Sequence, residues 1–438
     1  MTTLTFPLSR IEGHAQVVIE VQEGQVKSAR FQATELRGFD YLVRGAPAEQ
    51  MPVIVPRICG VCSTAHHVAA VRALEDAFGV TPPPLALTIR ELLLLGQLLQ
   101  NQATSLFVFT LPDRMNVDSL LEVTAPVLDQ AACSTVTGCA LHVRQAGTHL
   151  IGLAGGQFIH PVKAVVGGVT SGIAADAAAA MRAELEAALP VACMLLDTYW
   201  EASLALRERI GTWGDDAPAC YMAAVAGARP NFYGDFIRMM GCEGGDVCAT
   251  FAARDYRTHL TVEESDYSYA GHTSYRGNVI RANSLARVNM WTQLATSRAD
   301  AYLQRFHAAF GQPTHALLLY DLARGIELVY AIERAMEILV DPLDYEDTDV
   351  PYTPRDGEGF GLVEAPRGPL IHHYVIEDGL IAQAEFIIPT VHNVLAIERA
   401  LRVVAERYIT TERVNLELER AVGRVVRAFD PCIACATH

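Results

Sequence analysis

Arg57-Ile58-Cys59-Gly60-Val61-Cys62-Ser63-Thr64-Ala65-His66, and at the far end Asp430-Pro431-Cys432-Ile433-Ala434-Cys435-Ala436-Thr437-His438, are the two stretches on which the reading of this chain turns. Each holds a Cys-x-x-Cys turn that aims two sulfurs at one point, so each is half of a four-thiolate site. Thiolates select soft metals: zinc, copper(I), nickel in sulfur surroundings, or iron–sulfur clusters. A single pair also fits a redox dithiol or a chance match. The pairs of a zinc ribbon usually lie roughly 15–20 residues apart, whereas nearly the whole chain separates these two. A large buried cofactor that joins the first and last helices gains most from that arrangement. Cys62 precedes a helical pattern, whose N-terminus favours a thiolate. A motif that closes the chain makes sense only on a docked terminus, which makes His438 an ordered residue.

Outward from the motifs, composition narrows the class. The chain has 438 residues, 51% of them hydrophobic and 19% charged, which is globular rather than disordered. Lys and Arg number 34 against 50 Asp and Glu, a net charge of −16, so no nucleic-acid partner is expected. Mean hydropathy is +0.19, yet the most apolar run, Leu85 to Leu99, is broken by Arg90 and Glu91, and no transmembrane segment is expected. The apolar excess reads as core or as an extensive subunit interface. The first residues lead straight into Ser9-Arg10-Ile11-Glu12-Gly13-His14 rather than a secretory signal, which points to the cytoplasm, with export alongside a signal-bearing partner as the alternative. Of the ten cysteines, most of those outside the two pairs are expected to be inert buried thiols, disulfides being a weak default here.

Periodicity predicts an α+β fold: a large, mainly helical core with small β-sheets near the N-terminus and in the C-terminal part. His14 to Val21 and Val26 to Ala33 alternate about a Glu23-Gly24 turn, a hairpin. Val68, Val71, Leu74 and Phe78 mark one face of a helix that Ser63 or Thr64 could cap. Leu85 to Phe109 reads as a buried central helix, and Ala174 to Ile210 as a long helix broken or kinked at Pro190. Further helices fit Ala282 to Phe310, Asp321 to Leu339 and Val394 to Phe429, the last as more than one. A second hairpin fits Leu370 to Ile388, and Gly/Pro-rich loops fit Gly155 to Gly168 and Asp341 to Gly368. The whole chain, 1–438, reads as one multi-lobed unit: a β-rich segment 1–45, a helical core 46–340, and a loop, hairpin and helix over 341–438 that end in the metal motif.

The two cysteine motifs together resemble those of the nickel–iron hydrogenase large subunit. The resemblance covers most of the chain: SRIEGH (Ser9 to His14), RGFD (Arg37 to Asp40), Gly156 to Val169, ARGIE (Ala323 to Glu327), EAPRG (Glu364 to Gly368) and Pro389-Thr390 with His392-Asn393 stand in the family's order. It implies Cys59 and Cys432 as terminal nickel ligands and Cys62 and Cys435 as bridges to an iron that carries carbon monoxide and cyanide. It implies Glu12 as the proton-transfer carboxylate near Cys432, Arg367 as the arginine over the metal pair, and Asp113 as the acid that neutralises Arg367. Pro389 and Thr390 would face the cyanides, and His66 would hydrogen-bond a bridging sulfur. Asp40, His438 and the carbonyl of Phe386 would form a magnesium site. Three departures from the family pattern stand out: Asp40 where many relatives carry glutamate, Gln102 in place of a histidine, and Val166 in place of a proline. The end at His438 suggests a mature C-terminus or one that never had an extension.

The activity so implied is reversible heterolytic cleavage of H2 to two protons and two electrons. The remaining cysteines, including Cys133 with Cys139 and Cys242 with Cys248, do not have iron–sulfur spacing. Electrons are therefore expected to leave through an iron–sulfur small subunit in an obligate heterodimer, with clusters on that partner only, and from there to a diaphorase or other acceptor subunit. The motifs lean toward the soluble group coupled to NAD(P) or another carrier. Alternatives are a membrane-associated uptake enzyme, a hydrogen-sensing regulatory protein, a structural zinc protein, and an electron-transfer subunit of related fold.

Overall fold

The computed structural model describes residues 1–123, 125–127, 133–226, 230–241, 246–344, 347–409 and 416–438. The architecture is α+β, with a main apolar core that draws on residues from Phe6 to Ala436 and a smaller cluster that includes Met222, Ile237, Phe251, Ile280 and Ile371. The Pro84–Ala103 helix lies at its centre, continues into a π-helical turn at Thr104–Thr110 and ends in the Leu111–Met115 helix. This run is long and apolar enough to cross a bilayer by composition, but 83% of its most apolar window is buried inside the protein. It packs mainly on the Val136–Gly155 and Tyr320–Ile338 helices. The Ala175–Ile210 helix passes through Pro190 as a single element, so the expected break is absent. The predicted helix 282–310 is two, Ser284–Met290 and Ser297–Phe310. The stretch 394–429, expected to hold more than one helix, does so as Pro389–Tyr408 and Leu416–Phe429.

Both hairpins form, and each gains a strand. Thr2–Pro7 pairs antiparallel with Ala15–Gln22, which pairs with Gln25–Ala33. The alternation of the middle strand buries Ala15, Val17, Ile19 and Val21 on one face. In the C-terminal sheet Gly368–Glu377 lies between Gly357–Ala365 and Leu380–Ile387. The outer strand Gly357–Ala365 falls inside the stretch expected to be loop. Its glycines explain the misreading: a Cβ on Gly359 would lie 2.7 Å from the Cβ of Ala77, and one on Gly361 2.7 Å from the backbone N of Ala73. Glycine here admits the backbone of the Ser63–Phe78 helix, so the strand carries no hydrophobic alternation on that face. This close contact joins the helix behind Cys62 to the sheet that carries Arg367.

A six-stranded sheet between Cys220 and Arg281 was not anticipated. It is antiparallel except for its central pair, Cys220–Val225 with Asn278–Arg281. Cys133 and Cys139 form a disulfide, contrary to the expectation of free thiols. Cys242 lies outside the described residues.

Candidate metal centre

Two local structures bring the sulfurs together. Cys59 is extended after the helical turn Val55–Ile58, and Cys62 itself occupies the cap position of the Ser63–Phe78 helix that Ser63 or Thr64 was expected to fill. At the other end the Leu416–Phe429 helix stops at Asp430, whose φ of 51° turns the chain sharply into Cys432, the cap of the short helix Ile433–Ala436. The N-terminal segment holds this turn in place. Ile433 N–H donates to the Glu12 carbonyl at 3.1 Å. Gly13 follows with φ 82°, and a Cβ there would lie 2.7 Å from the Cβ of Ile433. Only glycine suits both the conformation and the approach.

The four sulfurs of Cys59, Cys62, Cys432 and Cys435 are buried and lie within 4.8 Å of one another. The closest pairs are Cys62–Cys435 at 2.7 Å, Cys432–Cys435 at 2.9 Å and Cys432–Cys59 at 3.3 Å. These exceed a disulfide bond of about 2.0 Å. Burial lifts the Cys62, Cys432 and Cys435 thiols above the ordinary thiol pKa. Hydrogen bonds from Cys432, Cys435 and Cys62 hold Cys59 well below it. Four buried thiolates this close together require a bound cation. A soft divalent metal fits that donor set.

Around the sulfurs, Glu12 Oε2 lies 3.1 Å from Cys432 Sγ and accepts the Ala434 N–H at 3.0 Å. Burial, then the charge on Cys59, raises its pKa above the usual carboxylate value. Glu12 does not pair with Arg10, which binds Asp113 instead. Arg367 is buried, and Asp430 takes both its Nε, through the backbone carbonyl, and its Nη2, through Oδ1 at 3.1 Å. Burial opposes the guanidinium charge, but Asp430 and the cysteine sulfurs outweigh it and raise its pKa. The acid that neutralises Arg367 is thus Asp430, not Asp113. Asp113 accepts from Arg427 at 2.7 and 2.9 Å and from Arg10 at 2.7 Å, and so ties the segment before Glu12 to the helix before Cys432. Asp430 stands in plain view in the sequence, two residues before Cys432, but nothing in the sequence alone gives it this role.

His66 Nε2 lies 3.4 Å from Cys435 Sγ, as expected, and burial lowers its pKa to about 4. Thr390 Oγ1 accepts the Cys432 N–H at 2.9 Å. Pro389 is the first residue of its helix. A small cavity of about 20 Å³ lies among Cys62, Cys435, Arg367, Pro389 and Thr390. Gln102 donates to Glu327 Oε2 at 2.6 Å and to Ser284 Oγ at 3.1 Å, a buried structural network rather than a position at the sulfurs.

Asp40, Phe386 and His438 line one cavity of about 530 Å³. His438 Nδ1 donates to the Cys435 carbonyl at 2.9 Å, which leaves Nε2 free to accept or to ligate. Asp40 Oδ1 is buried without a hydrogen-bond partner. An oxygen and a nitrogen donor left open in one cavity suit a divalent cation.

Comparison with known proteins agrees with this geometry. A family model described as nickel-dependent hydrogenase matches residues 37–136 and 244–438, and one described as HoxL-like matches 5–36. A vhu subunit of the F420-non-reducing hydrogenase from Methanococcus voltae is 34% identical over 91% of this chain and 97% of its own. The NAD-reducing hydrogenase HoxS subunit beta of Cupriavidus necator is 29% identical over 99% of this chain and 93% of its own. A crystal structure of an NAD+-reducing [NiFe]-hydrogenase in the H2-reduced state superposes with a TM-score of 0.93 at 29% identity, each chain covered in full. With four buried cysteine sulfurs gathered from both ends of the sequence, the chain belongs to the nickel-dependent hydrogenase family, as a hydrogenase catalytic subunit.

Proposed function

We propose that this chain cleaves H2 heterolytically at a nickel–iron centre whose iron bears carbon monoxide and cyanide, and that it passes the electrons to an iron–sulfur small subunit. The four-sulfur cluster carries the reading. Cys59 and Cys432 would hold nickel, and Cys62 and Cys435 would be the sulfurs it shares with iron. Cys62, Cys432 and Cys435 line the small cavity and Cys59 does not, so the division into terminal and bridging sulfurs rests on the resemblance of the two motifs. When bound, the metal pair supplies the Lewis acidity that polarises H2.

The chain's own residues do the rest. Glu12 Oε2, 3.1 Å from Cys432 Sγ, takes the proton and releases it outward. Burial raises the proton affinity of this carboxyl, the direction a relay needs. Arg367, held by Asp430, presents a fixed positive charge to the cavity, where it balances the anionic sulfurs and cyanide. Thr390 spends its acceptor on the Cys432 N–H, and its own hydrogen is free to bond the second cyanide. Asp40, the Phe386 carbonyl and His438, which line one cavity, would hold magnesium, and a hard cation there would brace the C-terminal turn.

The acceptor is a soluble carrier reached through partner subunits, nicotinamide in the first instance. The similarity to an NAD-reducing relative and structure supports this. Infrared spectroscopy and metal analysis of the purified complex test the proposal. Equal nickel and iron with carbonyl and cyanide bands, and H2-dependent reduction of NAD+ by the intact complex, are expected. Zinc in place of nickel and iron would overturn the catalytic reading, and dye reduction without NAD+ reduction would overturn the acceptor.

A further inference from the structure

His66 does not end at the sulfur. Its Nδ1 lies 2.9 Å from Nε2 of His372, whose Nδ1 lies 2.7 Å from the hydroxyl of Tyr374. All three side chains are at most 1% exposed. His372 and Tyr374 stand two apart on the Gly368–Glu377 strand and share a face of the sheet, while His373 points the other way, to Glu358 and Tyr256. The sheet thus sets a file of four groups: Tyr374 hydroxyl, His372, His66, Cys435 sulfur.

Such a file has a direction. A neutral imidazole carries one N–H and one lone pair. A metal-bound sulfur is a thiolate and has no proton to give. His66 must then offer Nε2–H to Cys435, which leaves its Nδ1 bare. That lone pair can be filled only by Nε2–H of His372, and the bare Nδ1 of His372 only by the Tyr374 O–H. Each donor points toward the sulfur. Free thiols impose no such order, because a Cys435 S–H could donate and the whole file could run in reverse.

We propose that His372 and Tyr374 are positioning residues that fix the tautomer of His66, so that it donates a hydrogen bond to the bridging sulfur of Cys435 and withdraws electron density from the metal pair. The effect follows the general rule that partners behind a ligand orient it and tune the metal. This inference rests on the nickel–iron reading above.

Infrared spectra of the intact, metal-loaded complex test it. Tyr374→Phe removes the terminal O–H with little change of shape. His372→Leu breaks the file, whereas His372→Gln keeps an N–H near the position of Nε2. A weakened bond to Cys435 makes that sulfur a stronger donor, so the iron-bound carbonyl band should move to lower wavenumber in Tyr374→Phe and further in His372→Leu, with recovery toward the parent value in His372→Gln. Nickel and iron contents should match the parent. Variant bands that superpose on the parent's at normal metal content would overturn the inference and leave the function intact. If His372→Leu fails to load metal, Tyr374→Phe decides. A parent complex without carbonyl or cyanide bands would overturn the function itself and this inference with it.

Discussion

Glu12 and Arg367 contribute to the site in different ways, and substitution separates them. Glu12→Gln keeps an acceptor for the Ala434 N–H but cannot carry a proton at neutral pH. Proton transfer by a positioned side chain contributes about 10²–10⁴-fold, so turnover and H2/D2 exchange should fall by that order at unchanged nickel and iron content. Wild-type exchange rates in this variant would exclude Glu12 from the proton route. Asp430→Asn removes the charge that Arg367 faces. Breaking a buried pair at one partner costs about 3–5 kcal/mol, and denaturant unfolding should show a loss of that size together with reduced turnover. Asp113→Asn weakens the clamp on Arg10 and Arg427 instead. It should lower the melting temperature but leave the metal-bound infrared bands in place, a contrast that checks the reassignment of the Arg367 counter-ion from Asp113 to Asp430.

At the scale of elements, the N-terminal hairpin was legible because its strands bury alternate residues, and the central helix because an apolar run of that length outlasts any strand. The six-stranded sheet was not. Its strand Cys220–Val225 is buried at five consecutive positions, and Leu260–Glu263 is exposed at three of four, so neither alternates. The counter-ion of Arg367 was hidden for another reason: Asp113 and Asp430 are both acidic residues near arginines in the sequence, and only the turn at Asp430 decides between them. Glycine carries this kind of tertiary information. Gly13→Ala would place a Cβ against Ile433 at a left-handed backbone position. Strain of this kind costs of order 1–3 kcal/mol. It falls on the link between Glu12 and Cys432, so the variant should show lower nickel occupancy as well as a lower melting temperature. Full occupancy by metal analysis would mean that the N-terminal segment does not help to hold the C-terminal turn.

Across the whole molecule, the core that encloses the sulfurs also encloses neutral histidines, which makes its stability depend on pH. His67 donates Nδ1–H to the Pro52 carbonyl at 2.8 Å, and its Nε2 has no hydrogen-bond partner. His392 approaches the Pro369 carbonyl through Nε2 at 3.2 Å, with Nδ1 likewise unpartnered. Burial lowers the pKa of each to about 4, against about 6.5 in an unfolded chain. Between these values the unfolded chain binds more protons than the folded one, so stability falls as the pH falls. The contribution is complete above about pH 6.5 and is lost progressively toward pH 4, worth about 3 kcal/mol for each histidine at one pKa unit per 1.36 kcal/mol. Melting temperatures of the metal-loaded complex should therefore drop from pH 7 to pH 5. Acid release of metal from the thiolates would produce a drop in the same direction, so the discriminating variants are His67→Gln and His392→Gln, which can still donate to the two carbonyls but do not titrate. The double variant should flatten the slope at unchanged metal content, whereas a slope as steep as the parent's would assign the acid sensitivity to the sulfurs alone.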